Sequence, residues 1–235
     1  MTRLYYSITI GFGFALYFLL AMAWCMRNPQ NYSDEFKYSL VRRLVFRLNK
    51  IARIKVDVSG LENLPDEGGY IMYANHQGRY DPSGVITVHA KPLSIVIDAE
   101  RAKLPLMRQV AGVLQAKTFV RGDLRQNALQ GKLMVDEVKE GRRYLIFPEG
   151  IYDDNKNTLK EFRSGAFNFA KRAHCPIVPV ALIDSYKVFG VNSLRKVYVR
   201  VEILPPLHFE EVRGLTTRAI GERVKKMIES RMPDE

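Results

Sequence analysis

The longest apolar segment lies at the amino terminus, where no charged residue occurs from Leu4 to Met26. As an α-helix this segment would be about 34 Å long, enough to cross a hydrocarbon core of about 30 Å. A cleaved signal peptide is the alternative, because Ala21 and Ala23 form a small-residue cleavage pattern. Since the run is longer than the apolar h-region of a usual signal peptide and only Arg3 and the amino terminus precede it, we expect a retained membrane anchor. A re-entrant or interfacial hairpin remains an alternative.

An amphipathic segment follows the apolar one after a helix break at Asn28-Pro29. Ser33 or Asp34 can cap this second helix. Its apolar residues recur at helical spacing, namely Phe36, Leu40, Leu44, Leu48 and Ile51. Basic residues occupy other positions, namely Lys37, Arg42, Arg43, Arg47 and Lys50. The pattern predicts a basic helix lying in the membrane interface against anionic headgroups, and an ordinary helix packed on the domain is the alternative.

Short apolar strands alternate with helical patterns beyond about residue 55. Strands are expected at 55–58, 70–74, 94–97, 144–147, 177–182 and 197–203. Helices are expected at 127–140 and 162–173 and after Thr217. This alternation predicts an α/β fold with a mostly parallel mixed sheet flanked by helices, and with the chemistry in loops at strand ends. The chain thus divides into residues 1–54, the membrane anchor plus interfacial helix, and residues 55–235, one catalytic domain.

The composition limits the classes of protein. A chain of 235 residues with 47% hydrophobic and 26% charged residues can bury one proper core and is not disordered. Its two cysteines, Cys25 and Cys175, form neither a disulfide framework nor a zinc site.

The charge of the chain points to an anionic partner. A formal net charge of +11 favours nucleic acid, an anionic membrane or phosphorylated substrates. Nucleic acid is not expected, because no recognition motif is visible and such a partner would not explain the apolar amino terminus. Because basic residues follow the apolar run, the positive-inside rule puts everything after Met26 on the cytoplasmic face of the cell membrane.

The most informative local pattern is a histidine five residues before an aspartate, His76 and Asp81, directly after the expected strand at 70–74. Such a spacing suits a loop that doubles back, since helix neighbours lie three or four residues apart. A carboxylate that accepts a hydrogen bond from one imidazole nitrogen fixes the tautomer and leaves the other nitrogen to take a proton. The alternative is a surface loop in which both residues are incidental.

Three further blocks follow in order. Arg121 comes after a short apolar stretch, Phe147-Pro148-Glu149-Gly150 follows a strand, and Val178-Pro179-Val180 lies within another. With Asn75, His76 and Asp81 as the first block, the set resembles the glycerolipid acyltransferase family from about residue 56 to about residue 205. The family's first motif is N-H-x4-D and its third is F-P-E-G, while its second ends in arginine. The ordered set is more specific than any one motif, and the preceding helices resemble the family's amino-terminal membrane-binding helix pair.

The resemblance implies transfer of a fatty acyl group from acyl carrier protein or coenzyme A to a lysophospholipid hydroxyl. The first choice of acceptor is 1-acylglycerol-3-phosphate (lysophosphatidic acid), which gives phosphatidic acid. His76 would be the general base and Asp81 would orient it. Arg121 would bind the acceptor's phosphate, Glu149 would bind its polar head or brace the site, and Gly150 would permit close backbone approach. No metal or organic cofactor is implied.

Three departures from the family pattern concern the acceptor. Tyr152 replaces an arginine expected after F-P-E-G, Gly78 replaces a usual serine, and Ala99 falls near an expected lysine. Another lysolipid or glycerol-3-phosphate is therefore an alternative acceptor. A lipid or thioester hydrolase and a catalytically inert membrane scaffold are the alternative functions, although an intact His76 and Asp81 speak against the scaffold.

Overall fold

The two amino-terminal helices form where the apolar pattern predicts them. A computed structural model describes residues 2–153 and 155–233, and in it helix α1 spans Thr2–Arg27 and helix α2 spans Asp34–Ile51. A 3₁₀ turn at Pro29–Asn31 separates the two helices. Ser33 caps α2, because its hydroxyl accepts a hydrogen bond from the Phe36 backbone N–H at 3.2 Å.

Seven strands form one sheet. They are β1 Ile54–Ser59, β2 Ile71–Ala74, β3 Ser94–Asp98, β4 Lys117–Phe119, β5 Tyr144–Ile146, β6 Ile177–Ile183 and β7 Val197–Ile203. The spatial order is β1-β7-β6-β2-β5-β3-β4, and every neighbouring pair is parallel except β6 with β7. The predicted mostly parallel mixed sheet is confirmed.

Eight helices follow the amino-terminal pair within the described residues. They are α3 Asp81–Val88, α4 Ala99–Ala102, α5 Met107–Val113, α6 Leu124–Lys139, α7 Asn168–Ala173, α8 Lys187–Gly190, α9 Phe209–Val212 and α10 Thr217–Glu229. The helix predicted at 162–173 is wrong in its first part, because a 3₁₀ turn at Ser164–Phe167 precedes α7. Strand β4 and the short helices α3 to α5 were not predicted, since none carries a long periodic pattern.

The sheet has a hydrophobic core on each face. Successive side chains of a strand point to opposite faces, so Met72 and Ala74 join one core while Ile71 and Tyr73 join the other. Buried residues of α1, α2, α3 and α5 belong to the first core, and those of α6, α7 and α10 belong to the second. Strand β6 is buried along its whole length, as expected for a central strand covered on both faces.

Both ends of α1 contact the α/β domain. The guanidinium of Arg3 is fully buried and donates to the carbonyl oxygens of Lys187 at 3.1 Å and Val188 at 2.9 Å. At the other end, Met26 packs so tightly on Gly112 that a Cβ there would lie 2.4 Å from the Met26 methyl group. Helix α1 therefore lies along the domain rather than projecting from it.

One face of α2 packs on the domain. Arg42 donates to the carbonyl oxygens of Ile86 and Thr87, both at 3.3 Å, and Lys37 is buried 3.6 Å from Asp34. For this face the alternative interpretation of an ordinary packed helix describes the structure better than an interfacial one. The opposite face exposes two aromatic and three basic residues, namely Phe36, Arg43, Phe46, Arg47 and Lys50.

Candidate active site

The loops that carry the predicted motifs meet at one edge of the sheet. Strand β2 lies between β5 and β6 and is parallel to both, so the carboxyl ends of all three lie together. His76 follows β2 after one residue, and Phe147-Pro148-Glu149-Gly150 follows β5 directly. In parallel α/β sheets this edge is where ligands bind.

His76 and Asp81 are in direct contact. His76 Nδ1 lies 2.6 Å from Asp81 Oδ2, and the Asp81 side chain is completely buried. The same oxygen accepts the backbone N–H groups of Gln77 at 2.6 Å and Gly78 at 2.8 Å. An acceptor at Nδ1 selects the tautomer that carries its proton there, which leaves Nε2 free to take a proton.

Ser185 completes the environment of the buried carboxylate, and sequence reasoning missed it. Its hydroxyl donates to Asp81 Oδ1 at 2.6 Å, so both carboxylate oxygens have donors. A buried carboxylate without donors would cost several kcal/mol, roughly what four hydrogen bonds offset. The one signal in the sequence was its position just after the apolar strand β6.

Two amides of the first motif fasten the His76 loop to β6. Asn75 Nδ2 donates to the carbonyl oxygen of Leu182 at 2.9 Å, and Asn75 Oδ1 accepts the Leu182 N–H at 2.7 Å. Gln77 Nε2 also donates to the Leu182 carbonyl at 2.9 Å. These bonds hold the backbone on both sides of His76 in place.

Glu149 holds the backbone of His76 from the other side. Its Oε1 accepts the His76 N–H at 2.9 Å, while its Oε2 is buried without a hydrogen-bond partner among residues 2–153 and 155–233. Burial raises the pKa of Glu149 to about 7, although the hydrogen bond from the His76 backbone N–H offsets part of that shift. In the structure, Glu149 therefore braces the site by holding the backbone of His76.

We expect the stability of the protein to depend on pH through Glu149. The folded protein keeps this proton up to about pH 7, whereas the unfolded chain loses it near the usual pKa of 4.5. The unfolded state therefore binds fewer protons between these values, and the free energy of unfolding falls as the pH rises. Glu149→Gln has no ionisable group at this position and lacks this contribution. Between about pH 5 and about pH 8, the free energy of unfolding of wild type should therefore fall by roughly 2–3 kcal/mol relative to that of the variant.

Urea unfolding of both proteins at the two pH values measures this change. Glu62→Gln serves as the control, because Glu62 is exposed and its replacement should shift the free energy of unfolding equally at both. A wild-type and Glu149→Gln difference that stays constant with pH would contradict the burial effect.

Aromatic rings surround the His76 imidazole. Phe147 stacks on it with ring centroids 4.3 Å apart and an interplanar angle of 22°, and Tyr152 meets it edge-on at 4.6 Å and 76°. The guanidinium carbon of Arg101 lies 4.6 Å from the Tyr152 ring centroid. Neither contact of Tyr152 was foreseen from the sequence, where Tyr152 counted only as a missing arginine.

Gly150 and Arg121 lie at the same edge in different settings. Gly150 adopts a φ of +79°, and a Cβ there would lie 2.9 Å from Arg163 Nε, so both backbone and space favour glycine. Arg121 follows β4 at the end of the sheet, where its side chain is 74% exposed and lies 3.9 Å from Asp98 Oδ2. No contact between Arg121 and the His76 loop occurs in the described structure, so its binding role stays a prediction.

The described residues contain no group of three or more His, Cys, Asp or Glu side chains that could hold a metal ion. Cys25 and Cys175 are both buried and unpaired by disulfide.

Proteins of similar sequence are named as acyltransferases. A "Probable 1-acyl-sn-glycerol-3-phosphate acyltransferase" of Mycoplasma pneumoniae is 29% identical over 162 residues, which cover 67% of this chain and 60% of that relative's length. A "1-acyl-sn-glycerol-3-phosphate acyltransferase" of Borreliella burgdorferi is 28% identical over 185 residues, covering 75% of this chain and 73% of the relative. The predicted resemblance to acyltransferases is confirmed.

The fold has a solved counterpart. A crystal structure of a 1-acyl-sn-glycerophosphate acyltransferase from Thermotoga maritima superposes with a TM-score of 0.73, covers 97% of this chain and 94% of its own, and is 21% identical. At that identity the likeness shows the shared α/β fold. The family model named Acyltransferase matches residues 55–183, more than half of the sequence, including the His76 loop and the loop after β5. The chain therefore belongs to the acyltransferase family.

Proposed function

We propose that this acyltransferase moves a fatty acyl group from a thioester of acyl carrier protein or coenzyme A to the hydroxyl of 1-acylglycerol-3-phosphate, giving phosphatidic acid. The observation that carries the proposal is the 2.6 Å contact between His76 Nδ1 and the buried Asp81. The names of the relatives from Mycoplasma pneumoniae and Borreliella burgdorferi support this acceptor.

The reaction needs one proton carrier. His76 Nε2 takes the proton of the acceptor hydroxyl as its oxygen attacks the thioester carbon, and a new C–O bond forms. When the tetrahedral intermediate collapses, the C–S bond breaks and the imidazolium returns the proton to the thiolate. Asp81 stabilises the imidazolium between these steps. No protein nucleophile is required, because the acceptor itself attacks.

The remaining site residues position rather than react. Glu149 holds the His76 backbone through the 2.9 Å hydrogen bond, and Gly150 keeps the following turn close to the site. Arg121 supplies positive charge at the same edge for an anionic substrate. The acyl donor and acceptor serve as substrates, and the proposal includes no cofactor.

The amino-terminal helices bring the enzyme to its lipid substrate. Helix α1 is long and apolar enough to cross a membrane. Only 22% of its most apolar 18-residue stretch is buried inside the protein. Because both ends of α1 contact the α/β domain, the helix dips into one leaflet instead of crossing the bilayer. Residues 1–54 then form the membrane-binding part and residues 55–235 the catalytic domain on the cytoplasmic face. Exposed Arg43, Arg47 and Lys50 add attraction to anionic headgroups.

One reconstituted assay tests these proposals. The purified full-length protein is mixed with anionic vesicles, radiolabelled acyl thioester, and either 1-acylglycerol-3-phosphate, glycerol-3-phosphate or another lysophospholipid. We expect label in phosphatidic acid, and we expect the protein to float with the vesicles unless residues 2–27 are deleted. Label only in another lipid would reassign the acceptor, and protein that stays in the soluble fraction would contradict the membrane proposal.

The same assay separates transferase from hydrolase. Without any acceptor, a transferase leaves the thioester largely intact, whereas a hydrolase releases labelled free fatty acid. Comparing acyl carrier protein with coenzyme A as the carrier identifies the donor.

A further inference from the structure

Arg101 lies one aromatic ring away from the proposed base. Its guanidinium carbon is 4.6 Å from the centroid of Tyr152, whose ring meets the His76 imidazole at a centroid distance of 4.6 Å. The three side chains come from loops after β3, β5 and β2, which are parallel and adjacent in the sheet. The topology of the sheet therefore places Arg101 near His76, with the Tyr152 ring between them.

The backbone of Arg101 is fixed. Asp98, the last residue of β3, caps α4 because its Oδ1 accepts the N–H groups of Glu100 at 3.0 Å and Arg101 at 3.3 Å. Strand β3 pairs in parallel with β5, so the cap holds α4 next to the loop that carries Tyr152. The contact therefore joins the Tyr152 ring to a segment whose backbone is anchored.

The charge of Arg101 is not neutralised by a carboxylate in the described part of the chain. Its neighbours differ, since Lys103 pairs with Glu100 at 2.6 Å and Arg121 lies 3.9 Å from Asp98. A guanidinium over an aromatic ring still has its N–H groups, and two of them can bind one phosphate together. The Arg101 side chain is exposed, so a ligand can reach it.

We propose that Arg101 binds the phosphate of the acceptor and that Tyr152 positions the Arg101 guanidinium beside His76. This rests on the proposed function, because it assigns a phosphate-binding residue for that acceptor in addition to Arg121. Phosphate and reacting hydroxyl belong to one small molecule, so a cation next to the base fixes the hydroxyl as well as the charge. The substrate class that Arg101 selects is a phosphomonoester acceptor.

Steady-state kinetics with 1-acylglycerol-3-phosphate and with monoacylglycerol, which lacks the phosphate, test this proposal. We expect Arg101→Ala to lower kcat/KM for the phosphate acceptor by about 10- to 100-fold, mainly through KM, as loss of a charge-assisted pair implies. The KM for the acyl donor and the slow rate with monoacylglycerol should not change. Arg101→Lys should recover part of the loss, since it keeps the charge without the planar fork.

Variants of Tyr152 provide a second test of the proposal. Tyr152→Leu should raise the acceptor KM as Arg101→Ala does, whereas Tyr152→Phe keeps the ring under the guanidinium and should rescue most of that loss. Combining Tyr152→Leu with Arg101→Ala should add little, because both remove one interaction. Lys103→Ala is the matched control, since this exposed lysine is paired with Glu100 and should leave the kinetics unchanged.

The outcomes separate the two proposals. A wild-type enzyme that acylates no phosphate-bearing acceptor would overturn the proposed function. An active wild type whose acceptor KM is unaffected by Arg101→Ala would overturn only the assignment of Arg101. Equal losses with 1-acylglycerol-3-phosphate and monoacylglycerol would overturn it too, because they would show a general effect on the site rather than phosphate recognition.

Discussion

Replacing His76 with alanine should lower kcat for acyl transfer by about 10²- to 10⁴-fold, the range for loss of a general base. The contact of Nδ1 with Asp81 leaves Nε2 as the imidazole nitrogen that can take the acceptor's proton, and alanine removes it. The acceptor KM should change little, because the imidazole acts on the transition state more than on bound substrate. Initial rates with saturating thioester and acceptor measure the effect.

A second histidine provides the control for this variant. His174 stacks on Phe209 at an exposed position with a φ of +55°, a backbone conformation that asparagine tolerates. His174→Asn should therefore keep wild-type kcat and thermal stability. Unchanged kcat in a folded His76→Ala protein would remove His76 from the role of base.

The pair of His76 and Asp81 was predictable because both members lie in one short loop. Neither Ser185 nor the contact of Glu149 with the His76 backbone could be derived in the same way. These contacts depend on β2 lying between β5 and β6, and a sequence gives the order of strands along the chain but not across a sheet. Glu149 was predicted as a site residue from its motif alone, while the buried position that raises its pKa is a result of the strand order.

A departure from a family motif cannot be interpreted from its own position alone, because residues from other segments contact that position in the fold. Tyr152 was interpreted as a lost cation, yet its ring supports the guanidinium of Arg101, which comes from a different loop. Gly78 takes the place of a usual serine, yet a Cβ there would make an ordinary contact, 3.8 Å from Tyr186 Cα. Serine would fit at that position, so the backbone does not require glycine.

The amino-terminal segment shows which part of a helix a pattern can predict. Hydrophobic runs and caps placed α1 and α2 to within a few residues, because those signals act locally. The face that each helix buries depends on its partner. Phe36 belonged to the predicted apolar stripe but is exposed, whereas Lys37 and Asn49 are buried against the domain.

Asp81→Asn should lower kcat by about 10- to 100-fold and leave the protein folded. The two backbone N–H groups and His76 Nδ1 all donate to Oδ2, so the amide oxygen of asparagine must take that position. The amide nitrogen then faces Ser185, whose hydroxyl can turn to accept it and to donate to Gln77 Oε1, 2.9 Å away. Orientation and tautomer of His76 are kept, and only the charge that stabilises the imidazolium is lost, worth about 1.5–3 kcal/mol.

Asp81→Ala should behave differently, because it removes the acceptor as well as the charge. The backbone N–H groups of Gln77 and Gly78 and His76 Nδ1 then lack their acceptor, and we expect a loss of about 3–5 kcal/mol in the free energy of unfolding together with a kcat near that of His76→Ala. Urea unfolding and initial rates on both variants separate the two effects. Equal rates for a folded Asp81→Asn and wild type would show that the negative charge contributes nothing to the reaction. Equal stabilities for Asp81→Ala and wild type would show that the four hydrogen bonds do not hold the loop.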